Sequence, residues 1–170
     1  FLLGLVLSPA LLAAPKPNIV FILSDDHSYP FLGCYGREEM KTPNLDRFAA
    51  EGIKFRRMFT GAPQCVPSRA TIMTGRSPVA ARITRFSSPL PRDEITFPEI
   101  LRKEGGYFVG CLGRTYHLDG SGKAPEATSQ VFDEHRMLTF KERFNYVDAS
   151  GQEAVPEKMK EFFDQRPKDA

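Results

Sequence analysis

Two adjacent carboxylates, Asp25 and Asp26, directly follow a short apolar run at residues 18–23. Adjacent carboxylates repel each other, and a divalent cation such as Ca²⁺ or Mg²⁺ relieves that repulsion by accepting hard oxygen ligands. Aspartate pairs are also common in ordinary turns, and on the dipeptide alone the turn is the favoured interpretation. The pair therefore becomes a metal-site candidate only if other residues point to the same chemistry.

Cys65 immediately precedes a segment that is predicted to be helical. The start of a helix presents free N–H groups and the positive end of the helix dipole, both of which favour a bound anion. Arg69 lies one helical turn further on, close enough to orient a reactive group at Cys65 or to screen its charge. The plain alternative is a structural cysteine in front of a helix.

The elements that would position these residues follow an α/β pattern. Residues 18–23 are rich in β-branched and aromatic side chains, as expected of a strand that is buried on both faces. A second strand is predicted at residues 107–112, and residues 53–59 are expected to be largely extended. Helices are predicted at residues 43–52, 67–75, 97–103 and 156–163, and an irregular loop at residues 78–93.

The order of these elements predicts an α/β fold with a largely parallel sheet flanked by helices. In such sheets ligands bind beyond the carboxyl ends of the strands. Polar clusters follow both predicted strands, at residues 24–27 and 113–117. Pattern alone therefore predicts an active site at this edge of the sheet.

Residues 65–75 read CVPSRATIMTG, which resembles the signature of the type I sulfatase family, C-x-P-S-R followed by a short run that ends in Thr-Gly. The segments KPNIVFILSDDH, LGCYG, TPNLDRFAAEGIKF and GYFVGCLGRTYHL are similar to further parts of that family. The resemblance implies an alkaline-phosphatase-like α/β fold, with this chain as its incomplete N-terminal part. It also implies hydrolysis of sulfate esters, either of a sulfated carbohydrate or of an aryl sulfate.

The resemblance further implies that a maturation enzyme oxidises Cys65 to formylglycine, whose hydrated aldehyde provides the nucleophilic oxygen. Asp25, Asp26 and the modified Cys65 would then bind a divalent metal, Ca²⁺ with Mg²⁺ as the alternative. Arg69 would support the modified residue.

Two further residues take roles by the same resemblance. His117 would hydrogen-bond the formylglycine hydroxyl, and Arg114 stands where the family usually has lysine. Arginine keeps a permanent cation suited to a pair of sulfate oxygens, but it cannot release a proton, which puts an acid role for this position in doubt. The family's remaining metal ligands and leaving-group residues lie far downstream, so we expect the chain by itself to be inactive.

Two rival functions stay open at this point. One is a phosphoester or phosphonate hydrolase of the same superfamily, and the other is a non-catalytic relative that binds sulfated glycans. The intact C-x-P-S-R pattern favours the sulfatase over the rival hydrolase. The glycan-binding relative would be favoured if Cys65 stayed unmodified or if the downstream metal ligands were missing from the whole protein.

Composition excludes little but points away from two partners. The 170 residues carry 23 Lys and Arg against 21 Asp and Glu, a net charge of +2. This balance gives no support to binding of nucleic acid or of a membrane surface. No apolar stretch reaches the length of a membrane span.

Residues 1–14 read FLLGLVLSPALLAA and resemble the apolar core and cleavage end of a secretory signal, with Ala14 before the cut. A buried N-terminal helix is the alternative, but Pro9 would interrupt it. We therefore expect a partial signal peptide at 1–14, a catalytic-domain portion at 15–170 and a periplasmic or secreted protein. Cys34 and Cys111 could form a disulfide. The preferred interpretation is that both are small buried apolar residues.

Overall fold

The computed structural model describes residues 16–85, 90–113, 140–148, 151 and 153–168. Within them four α-helices, two β-strands and two short 3-10 helices follow one another along the chain. In order they are the 3-10 helix Gly33–Tyr35, α1 (Pro43–Glu51), α2 (Cys65–Thr74), α3 (Phe97–Lys103), β1 (Gly110–Leu112), the 3-10 helix Phe140–Arg143, β2 (Tyr146–Asp148) and α4 (Val155–Gln165).

The two strands form a small parallel sheet, in which Gly110 pairs with Tyr146 and Leu112 pairs with Asp148. Helix α4 packs on this sheet through Phe162, whose ring stacks on Phe108 with centroids 5.4 Å apart. A Cβ at Gly110 would lie 2.6 Å from two ring carbons of Phe162, so the absence of a side chain there allows the close approach. The predicted fold class, α/β with a parallel sheet flanked by helices, is confirmed.

The core lies between α2, the loop that follows it and the sheet. Five side chains are buried together: Val66, Ala70, Ile83, Leu90 and Phe144. Four partly buried residues pack against them: Met73, Val109, Cys111 and Val147. Because Val66 and Ala70 belong to α2, this burial fixes one face of the helix that carries Cys65.

Helix α1 starts at Pro43, as predicted, and the residue before it, Thr42, joins it to the preceding 3-10 helix. The Thr42 hydroxyl accepts a hydrogen bond from the Gly33 N–H at 3.0 Å and donates one to Asp46 at 2.9 Å. Asp46 also accepts from the Cys34 N–H at 2.7 Å. The Thr42 hydroxyl makes no capping hydrogen bond to the helix and instead connects the two neighbouring elements.

Helix α3 is anchored by a buried ionic cluster. Glu99 accepts hydrogen bonds from the N–H and the hydroxyl of Thr96, at 3.0 and 2.9 Å. Arg143, which is fully buried, donates to the same carboxylate at 2.6 Å and to the Pro91 carbonyl at 2.9 Å. The cluster ties the start of α3 to the segment that leads into β2.

The prediction of a buried strand at residues 18–23 is wrong. These residues belong to no strand, and the apolar side chains of residues 19–23 are between 39 and 82% exposed. Among the described residues the sheet consists of β1 and β2 alone, and residues 18–23 pair with neither strand. Residues 53–59 likewise form no strand and are exposed.

Candidate active site

Cys65 is the first residue of α2, whereas the sequence placed it in front of a helix that begins near Pro67. The residue before it, Gln64, is extended, and its side chain makes no capping hydrogen bond. Burial of Val66 and Pro67 turns one side of the first turn toward the core and leaves Cys65 half-buried. The helix ends at Gly75, which adopts the left-handed conformation (φ 67°) as the predicted stop requires.

Arg69 and Asp25 form an ion pair that joins the two chemical clusters identified in the sequence. Arg69 Nη2 lies 3.0 Å from Asp25 Oδ1, and the two side chains are only 12 and 17% exposed. The residues are 44 positions apart. The pair therefore brings residues 24–27, called the aspartate loop below, onto the helix that carries Cys65. Low exposure limits screening by water, which makes this pair stronger than a typical surface ion pair.

The aspartate loop is shaped by His27 and by an unusual backbone conformation. His27 Nδ1 lies 3.2 Å from Ser24 Oγ, and His27 Nε2 lies 2.7 Å from the Phe31 carbonyl oxygen. The carbonyl can only accept, so in the neutral ring Nε2 carries the proton and Nδ1 accepts from Ser24. Asp26 has φ 52°, a left-handed conformation that aspartate tolerates better than most residues. His27 is therefore a structural residue of the loop.

The donor chemistry of the aspartate loop fits a hard divalent cation. Asp25 and Asp26 offer carboxylate oxygens, the ligands that Ca²⁺ and Mg²⁺ prefer. Among the described residues, no group of three or more His, Cys, Asp or Glu side chains is arranged to hold a metal ion. The described part of the chain thus provides carboxylates that suit part of a metal site.

All three cysteines have free thiols, so the alternative of a Cys34–Cys111 disulfide is not realised. Burial raises the pKa of the Cys111 thiol to about 11, while the positive charge of Arg69 acts in the opposite direction. At neutral pH Cys111 is accordingly an uncharged residue packed against the core, in line with the preferred interpretation. Cys34 is half-buried and contributes its N–H to Asp46.

An open groove of about 720 Å³ runs between the first 3-10 helix and α1. Cys34, Lys41 and Lys54 are among its lining residues, and none of Asp25, Cys65 and Arg69 is. Both lysine ammonium groups donate to backbone carbonyls, Lys41 to that of Glu38 and Lys54 to that of Cys34. The groove therefore adds no group to the candidate active site.

Two predicted site residues, Arg114 and His117, lie outside the described residues, as does the predicted signal segment. Sequence reasoning missed the Asp25–Arg69 partnership and also a hydrogen bond between Thr60 and Ser68. Ser68 belongs to the CVPSR motif, and this could have indicated that its side chain has a specific hydrogen-bond partner. Nothing in the sequence singles out Thr60. No helix within the described part of the chain is long and apolar enough to cross a membrane.

Comparison with known proteins identifies the family. Residues 17–165 match the family model named Sulfatase. The chain is 40% identical to human steryl-sulfatase over 117 residues, covering 62% of this chain and 20% of that protein. It is 40% identical to human arylsulfatase A over 128 residues, which is 72% of this chain and 24% of that protein.

A bacterial relative gives the same result. The ulvan-active sulfatase of Formosa agariphila is 35% identical over 133 residues, 76% of this chain and 26% of that protein. The chain thus spans between about a fifth and a quarter of the length of these curated relatives. With a family model matched along most of its length, this chain belongs to the sulfatase family.

Proposed function

We propose that the whole protein hydrolyses sulfate esters and that its nucleophile derives from Cys65. The observation that carries the proposal is the complete CVPSR motif on the first turns of α2, with its arginine paired to Asp25. The three relatives are named steryl-sulfatase, arylsulfatase A and ulvan-active sulfatase. The substrates that these names indicate share a sulfate ester and differ in the organic group that carries it. A sulfated carbohydrate or an aryl sulfate is the proposed substrate class.

Membership of the sulfatase family implies, in general, a formylglycine residue and a divalent metal. We place the formylglycine at Cys65, where a maturation enzyme would replace the thiol by an aldehyde whose hydrate supplies a nucleophilic oxygen. The position suits the chemistry, because the first N–H groups of the ten-residue helix α2, which have no partner within the helix, and the helix dipole favour a sulfate group beside it. Hydrogen-bond donors that are fixed before the reaction stabilise the charge that develops on sulfate oxygens.

Asp25, Asp26 and the modified Cys65 are the proposed metal ligands, with Ca²⁺ as the expected ion and Mg²⁺ as the alternative. The metal would supply positive charge next to the sulfate oxygens. Arg69 holds the Asp25 carboxylate in place. Arg114 and His117 keep the roles that the family resemblance gives them, as a cation for the sulfate and as a hydrogen-bond partner of the nucleophile.

The proposal includes a location. Residues 1–14 have the composition of a secretory signal, so we propose that residues 15–170 belong to a sulfatase catalytic domain that acts in the periplasm or outside the cell.

The function is tested by removing the sulfur of Cys65 and, as a matched control, that of Cys34. Both variants are made in the whole protein, produced together with a maturation enzyme, and assayed on an aryl sulfate and an aryl phosphate. Cys65→Ala is expected to lower aryl sulfate turnover by about a thousandfold or more, because the covalent route is lost. Cys34→Ala, which has no proposed role in the reaction, is expected to retain most of it.

Aryl sulfate turnover that survives in Cys65→Ala would refute the nucleophile. Faster turnover of the phosphate than of the sulfate by the unchanged protein would favour the phosphoester hydrolase, and no turnover of either would favour the glycan-binding relative.

A further inference from the structure

The loop that leads into α2, residues 60–64, is attached to the helix by the side chain of Thr60. Thr60 Oγ1 lies 2.8 Å from the Ala62 carbonyl oxygen and 2.9 Å from Ser68 Oγ. Threonine has one hydroxyl proton, so when Thr60 donates to the Ala62 carbonyl, Ser68 donates to Thr60. The Thr60–Ser68 bond joins residues eight positions apart, and Cys65 lies between them.

Ser68 behaves differently from the other hydroxyl residues of α2. Thr71 and Thr74 donate to helix carbonyls four residues earlier, at 3.0 and 2.8 Å, as hydroxyl side chains inside helices commonly do. Ser68 bonds instead to a residue outside the helix. The side chain of Gln64 makes no capping bond to the helix. The Thr60–Ser68 hydrogen bond connects the loop to the helix instead.

The residue after Thr60 seats the same loop closely against its surroundings. A Cβ at Gly61 would lie 3.3 Å from Pro78 Cδ and 3.5 Å from Thr71 Oγ1. At Gly61 the loop thus passes near Pro78 and Thr71, and at Thr60 it is attached to α2 by a hydrogen bond. The hydrogen bond restricts the chain just before Cys65.

We propose that Thr60 is a positioning residue for Cys65. By binding Ser68 it holds the first turn of α2 closed and fixes the place from which the group derived from Cys65 reaches its substrate. Displacement of a nucleophile by a fraction of an ångström lowers the rate without weakening substrate binding. The inference rests on the proposed function for its catalytic consequence, whereas its structural part can be tested without any reaction.

The structural test is hydrogen–deuterium exchange of the whole protein, made without maturation enzyme so that Cys65 stays a thiol. The Ser68 N–H, which donates to the Gln64 carbonyl at 2.9 Å, reports whether the first turn of α2 is closed. Thr60→Val removes the hydroxyl and keeps the shape of the side chain. Loss of the bond to Ser68 is expected to speed exchange of the N–H groups of residues 68–70 about three- to tenfold.

Three comparisons make the result specific. Thr60→Ser restores the hydroxyl and is expected to exchange like the unchanged protein. Ser68→Ala removes only the Thr60–Ser68 bond and is expected to speed exchange in the same residues. The double variant is expected to show no increase beyond Thr60→Val, which already lacks that bond. Exchange in α3 should not change. The proposal is overturned if Thr60→Val leaves exchange of residues 68–70 unaffected, if Thr60→Ser exchanges as fast as Thr60→Val, or if exchange in α3 speeds up equally.

The catalytic consequence is measured on the matured protein. Thr60→Val is expected to lower kcat for an aryl sulfate several-fold with little change in KM, and Thr60→Ser to recover it. An unchanged kcat together with faster exchange would contradict a role in positioning. If the unchanged protein carries no formylglycine and has no turnover, the proposed function fails, while the exchange experiment still decides whether Thr60 holds the first turn.

Discussion

Arg69 is the residue that connects the chemistry of two distant segments. Its position in the CVPSR motif was evident from the sequence, but its partner Asp25 was not, because an ion pair across 44 residues depends on how the chain folds back. The pairing places a positive charge beside a carboxylate that has only 17% of its side chain exposed. A carboxylate held in place in this way supports the proposed metal site.

The proposed ligands lead to a prediction about metal content. Asp25→Asn with Asp26→Asn in the whole protein should reduce bound Ca²⁺ and aryl sulfate turnover at least tenfold, because amide oxygens carry no charge to offset that of the cation (about 1.4 kcal/mol for each factor of ten). Bound metal is measured by plasma mass spectrometry. Asp164→Asn on the exposed side of α4 serves as the control and should change neither. Unchanged metal content in the double variant would show that these aspartates are not ligands.

Sequence reasoning at the residue scale therefore succeeded where a motif is contiguous. Cys65 and Arg69 stand on one helix, and their spacing alone predicted that they lie one turn apart. Thr60 escaped notice because a single threonine in a loop has no pattern, and its role depends on a contact with Ser68.

Among the elements, helices were predicted better than strands. Helix α3 was predicted with its observed bounds, since Pro98 marks its first turn and the glycines after residue 104 mark its end. Helix α2 begins two residues earlier than predicted because Pro67 is its third residue. Proline fits anywhere in the first turn, where its missing N–H is not needed, and so it does not fix the first residue.

The buried cluster at the start of α3 gives a prediction about pH. Burial by itself would raise the pKa of Glu99, but hydrogen bonds from Thr96 and the positive charge of Arg143 outweigh it and hold that pKa below its ordinary value. A lowered folded-state pKa means that the carboxylate stabilises the fold above its unfolded-state pKa, and that this contribution is lost as the pH falls through the folded-state pKa.

Glu99→Gln should therefore lower the free energy of unfolding by about 1–3 kcal/mol at pH 7. The difference in free energy of unfolding between Glu99→Gln and the unchanged protein should be smaller in acid, where Glu99 of the unchanged protein becomes protonated. Urea unfolding followed by circular dichroism, at pH 7 and at an acidic pH, measures this difference. An equal deficit at both pH values would mean that the charge of Glu99 contributes nothing.

At the scale of the whole molecule, a large apolar surface is exposed. Ile22, Ile53 and Phe59 are each more than 80% exposed, and the run at residues 19–23 is apolar throughout. The apolar sequence of this run predicted that its side chains would be buried. Such a pattern does not identify the segment of the chain that would cover them. That is why the run was predicted as a strand and is found without sheet partners among the described residues.

This surface predicts that residues 16–170, prepared as a separate chain, self-associate. Light scattering should show a mass that rises with concentration, because extended apolar segments with unpaired backbone groups associate readily. Ile22→Lys should reduce the association. Val79→Lys is the matched control, since Val79 is 76% exposed but lies outside the apolar run, and it should have a smaller effect. A monomer at all concentrations would show that the exposed apolar run at residues 19–23 does not cause self-association.

The proposed function depends on the conversion of Cys65, and mass spectrometry of the peptide that contains this residue is the most direct test. The whole protein is produced with a formylglycine-generating maturation enzyme, and its three cysteine peptides are compared. We predict that the Cys65 peptide has exchanged its thiol for an aldehyde, while Cys34 and Cys111 remain thiols. An unmodified thiol at Cys65 under these conditions would contradict the proposed nucleophile.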